Sequence, residues 1–138
     1  MRRAHVDWRA VATGAAVAIV VTVPPALLAR ILKADDLEGQ ESNLWVVPVV
    51  ALFVGFALGG HLAARRRPDA PLLHSAAAAM AAFAALCGFV VVRRFVTGDG
   101  LSVPLVVTLA LLLQITVSLS VLGGYVAMRR EAHGRHRA

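Results

Sequence analysis

Charge is scarce in this sequence. Asp, Glu, Lys and Arg make up 16% of the 138 residues, where soluble domains carry roughly 25%. The apolar share is correspondingly high, at 59%, with a mean hydropathy of +0.73. A short chain leaves much of its surface outside any core, so this excess excludes an ordinary soluble domain and makes lipid the natural solvent. Cysteine is nearly absent. Cys87 stands alone, which excludes an internal disulfide, and within an apolar run it reads as a small buried hydrophobe. Carboxylates are missing from every long apolar stretch: Asp7, Asp35, Asp36, Glu38, Glu41, Asp69, Asp99 and Glu131 all lie in loops or flanks. A proton relay or cation path thus lacks its usual intramembrane carrier. There is no Gly-x-Ser-x-Gly elbow, and no phosphate-cradling loop or dinucleotide fingerprint. The expectation is a protein that is not an enzyme, with no cofactor and no metal.

What is present is four long apolar runs, Ala10–Ala29, Leu44–Ala64, Leu72–Val92 and Pro104–Met128. A bilayer core of roughly 30 Å needs about 20 apolar residues in helix, and each run meets that without an interior charge. They are continuous rather than alternating, which favours helices over membrane strands. The expected fold is all-α, an integral membrane four-helix bundle in a single domain. The first run also resembles a signal peptide, but it continues to Ala29 with no clear small-x-small cleavage site, so an uncleaved helix is expected. Trp8 and Trp45 fall at span ends, where indoles favour the headgroup level.

The basic residues are distributed unevenly. Arg2, Arg3, Arg9, Arg65, Arg66, Arg67, Arg129, Arg130, Arg135 and Arg137 fall on one side of the four spans. Arg30, Lys33, Arg93 and Arg94 fall on the other, with most of the acids. The side richer in Lys and Arg is the cytoplasmic one, so both termini are expected in the cytoplasm of a plasma-membrane protein. The net charge of +6 is then a collar facing anionic lipid through Arg65, Arg66, Arg67, Arg129 and Arg130, and nucleic acid is not an expected partner.

The stretch Leu-Gly-Gly-His-Leu-Ala-Ala-Arg-Arg at Leu58–Arg66 returns as Leu-Gly-Gly-Tyr-Val-Ala-Met-Arg-Arg at Leu122–Arg130. The same register, a shift of 64 residues, lays Arg30, Asp35 and Leu37 on Arg94, Asp99 and Leu101. The chain reads as two repeated helical hairpins, about 1–67 and 68–131, followed by a disordered basic tail, 132–138. An even number of crossings per unit points both copies the same way, with a symmetry axis along the membrane normal.

Lipid is as apolar as leucine, so membrane helices associate where small residues let backbones approach. Ala51, Gly55, Gly59 and Ala63 form one such stripe at spacing four, and Thr116, Ser120 and Gly124 another. These are the expected packing or partner surfaces, for another membrane protein or for a second copy. Gln114, with Ser118 one turn on, is expected to find an interhelical hydrogen bond or to line a polar path. Pro24 and Pro25 remove two backbone donors, so a kink is expected, with Thr22 a candidate partner for the freed carbonyls of Val20 and Val21. Pro104 suits the first turn of the fourth helix, and Pro48 should bend the second mildly. His61 and His74 flank a short connection, with His5 nearby. Without Cys or carboxylate ligands they read as interfacial polar caps rather than metal ligands. Arg30 and Arg94 stand at equivalent positions on the outer side, each five residues before an aspartate, and form a candidate outer anion site.

The pattern Gly-Gly-x-x-Ala-x-Arg-Arg-x-Pro at Gly59–Pro68, followed by His74 at the head of the next helix, resembles the YrzE-like family of small four-span bacterial membrane proteins. The opening Trp-Arg-Ala-Val-Ala-Thr-Gly-Ala-Ala-Val-Ala is similar as well. Ala76 stands where that pattern has a glycine. The resemblance implies four helices and transfers no catalytic residue. Two functional classes follow: an accessory or scaffold subunit, or a small transporter or channel component working as an oligomer.

Overall fold

The computed structural model describes residues 6–35, 46–98, 100 and 102–135, with side chains described as far as Ile31 in the first helix and Arg129 in the last. The described secondary structure is entirely helical: α1 Trp8–Asp35, α2 Val46–Arg66, α3 Pro71–Thr97 and α4 Val103–Arg135. Helices are what a segment in hydrocarbon must form, because every N–H and C=O then finds its partner within the segment. Local chemistry sets the ends. Asp7 begins α1 as its N-cap: its Oδ1 accepts from the Arg9 N–H at 2.9 Å, and its carbonyl accepts from the Val11 N–H at 3.1 Å. Such a cap satisfies donors that the first turn leaves open. Pro71 opens α3, where a missing N–H costs nothing. Gly98 ends it at φ 75°, donating to the Phe95 carbonyl, a left-handed cap that glycine adopts without strain.

Two expectations about the chain path change. Residues 132–135 of the expected tail continue α4 as helix, and 136–138 lie outside the described residues. The α1 helix runs on through Pro24 and Pro25. Thr22 does not serve the freed carbonyls. Thr22 is 6% exposed, and its hydroxyl has no hydrogen-bond partner among the described residues, packed instead against Gly55. Thr22 is also the last buried residue of α1 among those described, so the two prolines fall where the helix leaves the packed part of the bundle. Trp8 opens α1 on an exposed face, and Trp45 lies outside the described residues.

The helices form a ring in the order α1, α2, α4, α3, and α2 also meets α3 across it. Helices α1 and α4 make no contact among the described residues. A two-fold relating the hairpins would make the α1–α4 pair equivalent to α2–α3, so the packing is not two-fold symmetric.

The interior is small and the exterior large. Ala15, Ala18, Ala79 and Ala82 surround Phe56 in the core, while Val20, Leu27, Phe89, Val107 and Leu111 are exposed. Only 28%, 28%, 22% and 11% of the four spans' apolar windows are buried within the bundle. An apolar surface of that extent is untenable in water. All four helices are long and apolar enough to cross a membrane, which makes this an all-α, multi-pass membrane protein. Cys87 is half-buried rather than enclosed.

Burial is concentrated at one end. Beyond Thr22, Gly55, Ala82 and Thr116, toward the α1–α2 and α3–α4 connections, no described residue is buried. The helices close tightly where Asp7, Arg66, Pro71 and Arg129 lie, and open toward the other end.

Candidate functional site

The closed end gathers the polar side chains. Gly14 of α1 lies against Gly59 of α2, and a Cβ on Gly14 would stand 2.6 Å from the Gly59 carbonyl oxygen. Gly60 presses on the Ser120 backbone, Gly123 on Ala57, and Gly124 on the Ser75 side chain. At that separation hydroxyls reach across. Ser75 Oγ donates to the Gly60 carbonyl at 2.9 Å and to its own helix at Pro71, 2.8 Å. Ser120 Oγ donates to the Ser75 carbonyl at 2.7 Å. Helices α2, α3 and α4 are thus joined by a short polar belt among small residues.

A second junction ties α1 to the α2–α3 turn. His74 is 2% exposed. Its Nδ1 donates to the Ala70 carbonyl at 2.8 Å, and its Nε2 accepts the Asp7 N–H at 3.0 Å. A carbonyl can only accept and an amide can only donate, so the partners fix the ring with hydrogen on Nδ1. Arg67 Nε donates to Asp7 Oδ2 at 2.6 Å. That bond, helped by the Arg9 N–H, holds the Asp7 carboxyl below the ordinary carboxylate range.

His61 faces elsewhere. Its Nδ1 donates to the Gly123 carbonyl at 3.3 Å, so the two histidines do not converge, and His5 lies outside the described residues. No group of three metal-ligating side chains occurs among the described residues.

The remaining expected positions divide clearly. Gly55, Gly59 and Ala63 are buried and Ala51 is half-buried. Gly55 and Gly59 pack on Thr22, Ala18 and Gly14 of α1, so this stripe is consumed inside the bundle and is not open to a separate partner. Thr116, Ser120 and Gly124 are buried as well. Gln114 and Ser118 are exposed on the outward face of α4, which places them outside the bundle rather than on a polar path within it. The cause is helical phase. Two residues turn about 200° at 3.6 residues per turn, so with Thr116 and Ser120 facing inward, Gln114 and Ser118 face out. Ser118 Oγ donates to the Gln114 carbonyl of its own helix at 2.8 Å. Arg65, Arg66 and Arg129 are exposed at the closed end, and the Arg130 side chain lies outside the described residues. At the open end Arg30 is exposed, while Arg94 donates to the Gly100 carbonyl at 3.3 Å. The side chain of Asp35 and all of Asp99 lie outside the described residues.

Sequence reasoning missed Asp7, Ser75 and Gly14, and gave Arg67 to anionic lipid where its guanidinium is bonded to Asp7. For Asp7 a signal existed, an Asx residue directly before an apolar helix. The others depend on which helices become neighbours. Comparisons with protein-family models, curated proteins and solved structures found no match to this chain.

Proposed function

We propose that this protein is a non-enzymatic accessory or scaffold subunit of a plasma-membrane assembly, with both termini in the cytoplasm. One observation carries the accessory role. Among the described helical glycines, Gly14, Gly55, Gly59, Gly60, Gly123 and Gly124 are closed over by neighbouring helices, whereas Gly88 has nothing within 4 Å. Ala84 and Ala85 beside it on α3 are exposed too. In lipid, a small-residue face is where another helix can approach, and this one is unused by the bundle. Affinity purification from native membranes in mild detergent should bring along a distinct membrane protein. Gly88→Leu should lose it without disturbing the bundle, because no atom of a neighbouring helix lies within 4 Å of a Cβ placed there. Retention of the partner by that variant, or purification of the chain alone, would overturn the proposal.

The cytoplasmic placement is supported by the arginine excess at the closed end, where each basic group near an anionic leaflet gains about 1 kcal/mol. Cysteine labelling at either terminus of a Cys87→Ala background, in intact and permeabilised cells, tests it; labelling in intact cells rejects it. The shared register of Leu58–Arg66 and Leu122–Arg130 supports descent from a duplicated hairpin whose copies now pack differently. The resemblance to the YrzE-like family supports the same four-span plan.

A second proposal, an oligomeric transporter or channel component, is favoured by Gln114. An amide exposed at mid-span in hydrocarbon gains a hydrogen bond when a second copy supplies one. Solute flux in liposomes, lost in Gln114→Leu with the fold intact, would establish it over the scaffold role.

A further inference from the structure

We infer that the furrow between α2 and α4 is a binding site for one anionic phospholipid, an inference that rests on the collar facing an anionic leaflet. Its floor is Ala57 and Gly123, whose backbones touch. Because the floor carries a single methyl group, the larger neighbours on either side stand apart as walls: Val54 and Leu58 on α2, Leu122 and Val126 on α4. The space between them is about 380 Å³, within the roughly 300–1,000 Å³ of small-ligand pockets.

The furrow is polar at one end only. His61 lines it there, held by its bond to the Gly123 carbonyl. Arg65 follows one turn later on the same face of α2, exposed and without a partner among the described residues. From Val54 to His61 the helix rises about 10 Å, most of a leaflet's depth of roughly 15 Å. An apolar channel parallel to the helices, with a cation where the membrane surface falls, fits an acyl chain and its phosphate rather than a soluble ligand. A guanidinium free of other bonds is suited to bidentate contact with phosphate. A transmembrane helix fits less well: its close approach needs small residues, and here they are already engaged between α2 and α4.

Native mass spectrometry of the full chain in detergent, titrated with phosphatidylglycerol or with phosphatidylcholine of the same chains, tests the site. One phosphatidylglycerol should survive activation that strips phosphatidylcholine. Arg65→Gln should lower its occupancy about fivefold, and Val126→Trp, which fills the furrow from an exposed position, should abolish it. If Val126→Trp fails to fold, Leu58→Trp on the opposite wall serves the same purpose. Phosphatidylglycerol preference that persists in the tryptophan variant but falls in Arg65→Gln leaves the collar standing and overturns the furrow. Equal retention of both lipids by the wild type overturns the anionic collar and the site together. A dimer that Val126→Trp dissociates assigns the furrow to a second copy and overturns the lipid.

Discussion

Gly60 and Gly88 are both glycines in the interior of a membrane helix, yet they answer to different physics. A methyl group on Gly60 would sit on the Ser120 carbonyl, while one on Gly88 would meet nothing. Gly60→Ala should therefore cost about 1–3 kcal/mol through forced separation of α2 and α4, and Gly88→Ala should be neutral or gain up to about 1 kcal/mol of helix propensity. Thermal unfolding in detergent compares the two directly. Ser120→Ala removes the bond to the Ser75 carbonyl and should cost about 0.6–1.7 kcal/mol by the same measurement. Asp7 has a different signature. Its carboxyl is held low, first by Arg67 and then by the Arg9 N–H, so the folded state prefers it ionised. Its contribution is complete above the ordinary carboxylate pKa and is lost as pH falls through the lower folded value. Limited proteolysis at the membrane-surface end of α1, around Trp8 and Arg9, should therefore accelerate on acidification, and Arg67→Gln should shift that onset to higher pH.

At the scale of the element, α4 shows how little polarity alone says about direction in a membrane helix. It carries two polar sets, Thr116 with Ser120 and Gln114 with Ser118, which are buried and exposed respectively. The hydroxyls of Thr116 and Ser118 are satisfied by carbonyls of their own helix, at 2.8 Å in each case. Self-satisfied side chains leave the facing of the helix to size, and the buried described positions, Thr116, Ser120, Gly123, Gly124 and Ala127, are all small. Gln114→Leu should accordingly change unfolding by no more than about 0.5 kcal/mol, where a buried interhelical amide would lose more. In α1 the double proline is tolerated because it lies beyond Thr22, the last buried residue of α1 among those described, so the carbonyls it frees are not locked inside the core.

The whole molecule is a bundle closed at one end and open at the other. Its closed end carries the short α2–α3 turn, in which the Arg67 N–H donates to the Ala64 carbonyl and the Ala70 N–H to the Arg67 carbonyl. Four crossings could be read from Ala10–Ala29, Leu44–Ala64, Leu72–Val92 and Pro104–Met128, and the helices exceed those limits mainly at their ends. The small stripes could be read too, though not their consumption by α1 rather than by a partner. Gln114 was readable in principle: its phase against Thr116 and Ser120 places it outside, once size is weighed above polarity.

The number and helical nature of the crossings are local matters. A segment in hydrocarbon must close its own backbone hydrogen bonds, and its length answers to the bilayer, so the amino-acid order alone determines both. Which faces meet is not local. Lipid rewards apolar contact with a neighbouring helix no more than contact with an acyl chain. Only the fitting of Gly14 to Gly59, Gly60 to Ser120 and Gly123 to Ala57 decided the order of the ring, the Asp7–His74 junction, and the furrow that α2 and α4 leave between them.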